Sequence, residues 1–212
     1  MKRALNFQLL GKNLEIMLQH RLREPVSVLI NPISRGLIKV GIKADYLTVL
    51  GAIGVSAAAL YFYGRGEFIL GTVIVTLFAL LDLLDGTVAR LSNATTSKWG
   101  ALLDSTLDRI SDAMIVIGIF IYLDAQGDPI SYLPIAVMVL SGLVSYIRAR
   151  AESLGIECSV GLGERTERLM VILLGAFLYG LGISSALDIS LWITFFMSVV
   201  TIAQRLIVVF RA

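Results

Sequence analysis

The chain has 212 residues, of which 57% are hydrophobic and only 16% charged, with a mean hydropathy of +0.83. A soluble domain would be nearer to about half apolar and a quarter charged, so the excess accommodates several membrane-spanning helices and leaves little for a separate soluble domain. A formal net charge of +2 gives no electrostatic footprint for nucleic acid, and the single cysteine, Cys158, excludes an intrachain disulfide framework and a cysteine-based zinc site.

The opening forty residues are mixed and charged rather than a short basic start followed by an apolar run, which is not the pattern of a cleavable signal peptide. Met17 fits equally well as a start, which would set residues 1–16 outside the native chain. Between Val26 and Val40, apolar and basic positions alternate at roughly helical spacing. That pattern predicts an amphipathic helix lying in the cytoplasmic interface, with Arg35 and Lys39 near lipid headgroups; a solvated linker is the plainer alternative. Six apolar runs follow, at Tyr46–Tyr63, Phe68–Ala89, Leu102–Leu123, Tyr132–Glu152, Leu169–Leu187 and Leu191–Val209. Each approaches the ~20 residues that cross a bilayer core. Short connections such as 64–66 and 125–129 separate them, and Tyr61, Tyr63, Trp99 and Tyr132 stand near their ends, where aromatic side chains suit the interface. The expected fold is therefore an all-α integral membrane protein of six transmembrane helices, with an N-terminal segment (1–40) and a membrane domain (41–212).

Basic residues orient the chain. Eight precede the first run, Arg90 and Lys98 lie between the second and third, and Arg148, Arg150, Arg165 and Arg168 flank the fourth connection. Arg205 and Arg211 lie at the end, whereas the alternate loops contain only Arg65. With six spans this bias places both termini and the charged connections in the cytoplasm, in a cell membrane.

Acidic residues mark the site. The second run closes on Asp82 and Asp85, and the third opens on Asp104 and Asp108. An ionised aspartate inside a membrane helix costs about 2.5–3.5 kcal/mol on insertion scales and by default signals function. Asp82 and Asp85 are three apart, and Asp104 and Asp108 four apart, so each pair shares one helix face. An antiparallel pairing of the two helices would turn all four toward one another, an arrangement that needs bridging cations. Hard oxygen donors in this number suit Mg²⁺ or Mn²⁺, with room for two ions. Gly86 and Ala89 clear a strip along the helix, and Arg90, one turn beyond Gly86, is placed to hold phosphate oxygens. Salt bridges of the aspartates with Arg90 and Arg109 would leave two arginines against four aspartates and the nearby Asp112. A divalent cation channel or transporter is the rival from another class, but no ionisable residues continue the cluster through the other helices.

At these residues the sequence resembles the CDP-alcohol phosphatidyltransferase family. Asp82-x-x-Asp85-Gly86-x-x-Ala89-Arg90 and Gly100-x-x-x-Asp104-x-x-x-Asp108 match every fixed position of the family pattern, with nine residues where the family has eight between Arg90 and Gly100. The resemblance implies a six-helix membrane homodimer with its active site open to the cytoplasm. By the same resemblance Asp82, Asp85, Asp104 and Asp108 bind the metals, and Asp108 is also the general base. Gly86 and Arg90 would contact the CDP group of CDP-diacylglycerol. So would Ser97, counted back from Gly100, and Asp45 and Thr48 in the segment Lys43–Thr48, where Ala44 replaces a common family proline.

The acceptor is read from basic residues. Arg205 interrupts an otherwise apolar helix, and Arg148 and Arg168 lie in segments similar to those of the family's actinobacterial phosphatidylinositol phosphate synthases. There, three basic residues hold the phosphate of inositol phosphate, the first typically a lysine where this chain has Arg148. Arg150 and Arg165 fit equally well as markers of the membrane boundary. Inositol phosphate is the expected acceptor, with glycerol 3-phosphate, the substrate of a phosphatidylglycerophosphate synthase, as the alternative.

Overall fold

The computed structural model describes Gly36, residues 44–91 and residues 97–212, without the side chains of residues 82, 83, 85–87 and 89–91. Apart from Gly36, the expected interfacial helix lies outside the described residues. Six α-helices follow one another: α1 (Ala44–Phe62), α2 (Phe68–Leu91), α3 (Lys98–Ala125), α4 (Leu133–Ser153), α5 (Arg165–Gly180) and α6 (Ala186–Arg211), with a 3-10 turn at Tyr63–Arg65. No strand occurs among the described residues.

Local chemistry sets the boundaries. Ser97 caps α3, its Oγ accepting from Gly100 N at 2.8 Å, the usual way of satisfying an orphan amide at a helix start. A reciprocal capping box between Glu164 and Glu167 starts α5 at Arg165, four residues ahead of the expected Leu169. The fifth apolar run also ends sooner than its composition suggests. Gly182 adopts φ +97°, and the amides of Gly182 and Ile183 turn back to Tyr179 O and Leu178 O. That left-handed closure ends α5 at Gly180 and lets α6 begin at Ala186. Sequence expectation had carried the fifth span through to Leu187 and begun the sixth at Leu191.

Among the described residues, α1, α4 and α6 are long and apolar enough to cross a membrane, and α2 contributes a shorter apolar stretch, Phe68–Leu81. Helix α5, at 16 residues, reaches only about 24 Å, and α3 carries Asp104, Asp108, Arg109 and Asp112 in its N-terminal part. The protein is a multi-pass helical membrane protein.

Helix contacts close a ring in the order α1, α2, α5, α6, α4, α3 and back to α1. Close approach at the α1–α3 crossing requires glycine: a Cβ on Gly118 would stand 2.4 Å from Ala59 O. Small residues of this kind let helix backbones meet where no hydrophobic effect drives association. At the end of the ring remote from Asp104, Phe68 stacks on Tyr63 and meets Tyr122 and Tyr179 edge-on at 4.9 Å each. The buried Tyr63 hydroxyl is satisfied by Thr72 at 3.0 Å.

Helix α6 carries a buried polar stripe, Ser190, Thr194, Ser198, Thr201 and Arg205. The four hydroxyls bond back to carbonyls three or four residues earlier, at 2.7–2.8 Å, which lets them face protein rather than lipid without orphan donors. The lower end of this stripe fixes the α4–α5 loop: Gly163 N donates to Thr201 Oγ1 at 3.2 Å and Leu162 N to Gln204 Oε1 at 3.0 Å.

Candidate active site

The carboxylate end of the ring is formed by the start of α1, the end of α2, the start of α3, the end of α4, the start of α5 and the end of α6. Asp104 and Asp108 lie one turn apart on α3, Asp104 exposed and Asp108 half-buried. The backbone of Asp82, Asp85, Gly86 and Arg90 is helical in the last turns of α2; their side chains lie outside the described residues. Among the described residues no group of three or more carboxylate, imidazole or thiol side chains is assembled, and the α3 pair is the part of the expected metal cluster that is described. Its donors are hard oxygens on one face, reachable from solvent, which fits a hard divalent cation.

Asp45 and Ser97 meet across Gly100. Asp45 Oδ1 stands 3.4 Å, and Ser97 Oγ 3.2 Å, from the point where a Cβ on Gly100 would be. The glycine therefore opens the floor between two of the expected nucleotide-binding residues. Thr48, one turn along α1, lines a cavity of about 370 Å³ enclosed by α1, α2, α3 and α5, whose wall also includes Asp108, Asp112 and Arg165.

The counter-charge to Asp108 comes from Arg165, a residue that sequence reasoning had left undecided. Its Nη1 lies 2.8 Å from Asp108 Oδ2, while Nε and Nη2 donate to the two oxygens of Asp112 at 2.9 and 3.0 Å. Arg109, expected as a possible partner, is looser at 3.5 Å from Asp108. The signal that could have exposed this pair is the third carboxylate in the Asp104, Asp108, Asp112 series, which recurs every four residues toward the α5 start.

A second cavity, of about 180 Å³, lies between α3, α4 and α5, with Arg168, Ser141 and Ser145 in its lining. Arg168 and Arg205 are 4% and 3% exposed. Arg168 donates to Gly163 O; Arg205 donates to Val160 O at 2.9 Å and to Val144 O. Among the described residues neither has a carboxylate partner. Isolated buried charge is costly; Asp112 acts on Arg168, and Glu164 and Glu152 act on Arg205, only at longer range, so two guanidiniums hydrogen-bonded to neutral carbonyls can take up a further anion. They are also mutually repulsive, and Arg205 feels Arg148 as well. Arg148 differs from the other two. It is exposed and pairs with Glu152 at 2.9 Å, so it stands at the rim of the buried pair. Among the described residues Arg150 reaches only Ser153, at 3.4 Å on an exposed surface, as a boundary residue would.

Comparison with known proteins gives the family. The model of the CDP-alcohol phosphatidyltransferase family matches residues 42–203. The chain belongs to that family, and is an enzyme of that class. It is 43% identical over 191 residues to the phosphatidylinositol phosphate synthase of Streptomyces avermitilis, covering 86% of this chain and 78% of that protein. The corresponding synthase of Cutibacterium acnes is 35% identical over 206 residues, 92% of this chain and 99% of that one. Among solved structures, the phosphatidylinositol phosphate synthase of Mycobacterium tuberculosis with CDP-DAG bound superposes with a TM-score of 0.80 at 35% identity, covering 85% of this chain and 93% of that chain. The same synthase in complex with manganese and citrate gives 0.80 at 36%, covering 85% and 88%.

Proposed function

We infer that this enzyme transfers the phosphatidyl group of CDP-diacylglycerol to inositol phosphate, forming phosphatidylinositol phosphate and CMP. The observation that carries the acceptor is the pair of buried arginines, Arg168 and Arg205, whose hydrogen bonds among the described residues go to backbone carbonyls. An acceptor carrying its own phosphate supplies the missing anion; serine or choline does not. Glycerol 3-phosphate would satisfy the same charges, and the names of the relatives compared favour inositol phosphate over it. Family membership likewise favours transfer over the cation-channel reading.

Asp82, Asp85, Asp104 and Asp108 hold divalent metal, Mg²⁺ or Mn²⁺, which when bound neutralises the diphosphate and makes CMP a better leaving group. Asp45, Thr48, Gly86, Arg90 and Ser97 bind and orient the CDP group. Arg168 and Arg205, with Arg148 at the rim, hold the acceptor's phosphate. Asp108 accepts the proton of the acceptor hydroxyl, whose oxygen attacks the phosphorus bearing diacylglycerol; the bond from that phosphorus to the CMP oxygen breaks and CMP departs.

The surrounding organisation follows the same reading. Six helices cross the membrane, an interfacial helix precedes them, the chain forms a homodimer, and the site faces the cytoplasm with both termini. Residues 1–40 are then an N-terminal segment attached to the catalytic membrane domain 41–212. The charged ends of α2, α3, α4, α5 and α6 at one end of the ring support that orientation.

Arg205→Gln tests the acceptor pocket. One charge-assisted hydrogen bond is worth about 1.5–3 kcal/mol, so the KM for inositol phosphate should rise at least roughly tenfold, with the KM for CDP-diacylglycerol nearly unchanged. Equal rises for both substrates would assign Arg205 to holding Val160 and Val144 rather than to the acceptor.

A further inference from the structure

The two cavities share a wall. Asp112 and Arg165 line both the larger cavity, which includes Thr48 and Asp108, and the smaller one, which includes Arg168. We propose that the Asp112–Arg165 pair is a positioning device for the transfer step, fixing the Asp108 carboxylate at the boundary between the donor and acceptor chambers. The proposal rests on the reading of Asp108 as the base.

Geometry and charge both point this way. Two of the guanidinium's nitrogens form a planar fork on Asp112, and a third reaches Asp108 at 2.8 Å. A fork held on both sides fixes the plane of the guanidinium, and so the direction in which Nη1 constrains Asp108. Lysine, a point charge on a flexible stem, cannot reproduce this. Asp112 also sets a second carboxylate against the guanidinium that Asp108 shares. The pair's side chains are 28% and 27% exposed at a cavity wall, within reach of bound substrate.

The chambers explain why positioning matters. CDP must lie on the Thr48 side and the acceptor phosphate on the Arg168 side, so the attacking hydroxyl reaches Asp108 across the edge that Arg165 forms. A displacement there of about 1 Å can cost 10²-fold in rate.

The test compares Arg165→Gln, Arg165→Lys, Asp112→Asn and the double variant Arg165→Gln/Asp112→Asn. Full-length protein in detergent is assayed for CMP release with CDP-diacylglycerol, Mg²⁺ and, in parallel, inositol phosphate or glycerol 3-phosphate. Removing the partner of a metal-binding carboxylate typically costs about 10- to 100-fold, so Arg165→Gln should lose that much in kcat while both KM values hold. Arg165→Lys, the variant least disruptive to folding, should recover only a fraction. The double variant should lose no more than Arg165→Gln alone, because Asp112 acts through Arg165. An unchanged kcat in Arg165→Gln, a loss confined to the acceptor's KM, or fully additive losses would overturn the proposal. Should wild-type protein turn over glycerol 3-phosphate alone, the acceptor assignment falls, and the kcat comparison still decides the role of Arg165.

Discussion

Asp108→Asn is expected to abolish phosphatidyl transfer while leaving a folded membrane protein. Proton transfer by a positioned base contributes about 10²–10⁴-fold, and the same substitution also removes a charged oxygen from the proposed metal-binding set. Asparagine keeps the size of the side chain, and its amide oxygen can still accept from Arg165. The position lies at a cavity wall with its side chain 17% exposed, not in the helix crossings. Elution as a single species, with helical content equal to wild type, would show that the fold persists. CMP release at or near the wild-type rate would remove Asp108 from the base role.

Arg168→Gln is expected to lower kcat/KM for inositol phosphate by roughly 10²-fold, the upper range for loss of a charge-assisted hydrogen bond. Arg168 is the phosphate-binding candidate that lines the smaller cavity directly. Its burial makes its charge less screened than that of Arg148, which shares an exposed ion pair with Glu152. The effect should therefore exceed that of Arg148→Gln in the same assay. Steady-state kinetics varying each substrate separately would show the loss on the acceptor side. A comparable loss for CDP-diacylglycerol would assign Arg168 to holding the α4–α5 loop through Gly163 O.

These positions differ in how openly the sequence declared them. Asp104, Asp108 and Arg205 were legible because ionisable side chains interrupt apolar runs, where the cost of burial makes an accidental charge rare. Six helices were legible for the same reason: runs of apolar residues separated by glycine and polar loops. The break at Gly180–Ala186 was not, because residues 181–187 are nearly as apolar as the helices on either side and only the left-handed Gly182 closes α5. Arg165 was ambiguous because its meaning depends on which helix α5 faces across the ring. A basic residue at a helix start reads as a boundary marker until Asp108 and Asp112 are seen opposite it. The α6 hydroxyls passed unremarked, since serine and threonine at helical spacing satisfy themselves on their own backbone and interrupt hydropathy only slightly. The pairing of Arg148 with Glu152 could have been read from their four-residue spacing. That pairing leaves Arg148 exposed, unlike the buried Arg168 and Arg205.

The measurement that tests the central reading most directly is Mg²⁺-dependent CMP release from CDP-diacylglycerol by the purified protein, with inositol phosphate, free inositol and glycerol 3-phosphate compared as acceptors. The account predicts turnover with inositol phosphate, none with free inositol and little with glycerol 3-phosphate, because on the proposed reading the buried arginines hold a phosphate and the relatives compared are phosphatidylinositol phosphate synthases by name. Turnover with free inositol equal to that with inositol phosphate would contradict it, for the arginine pair would then have no part in recognising the acceptor.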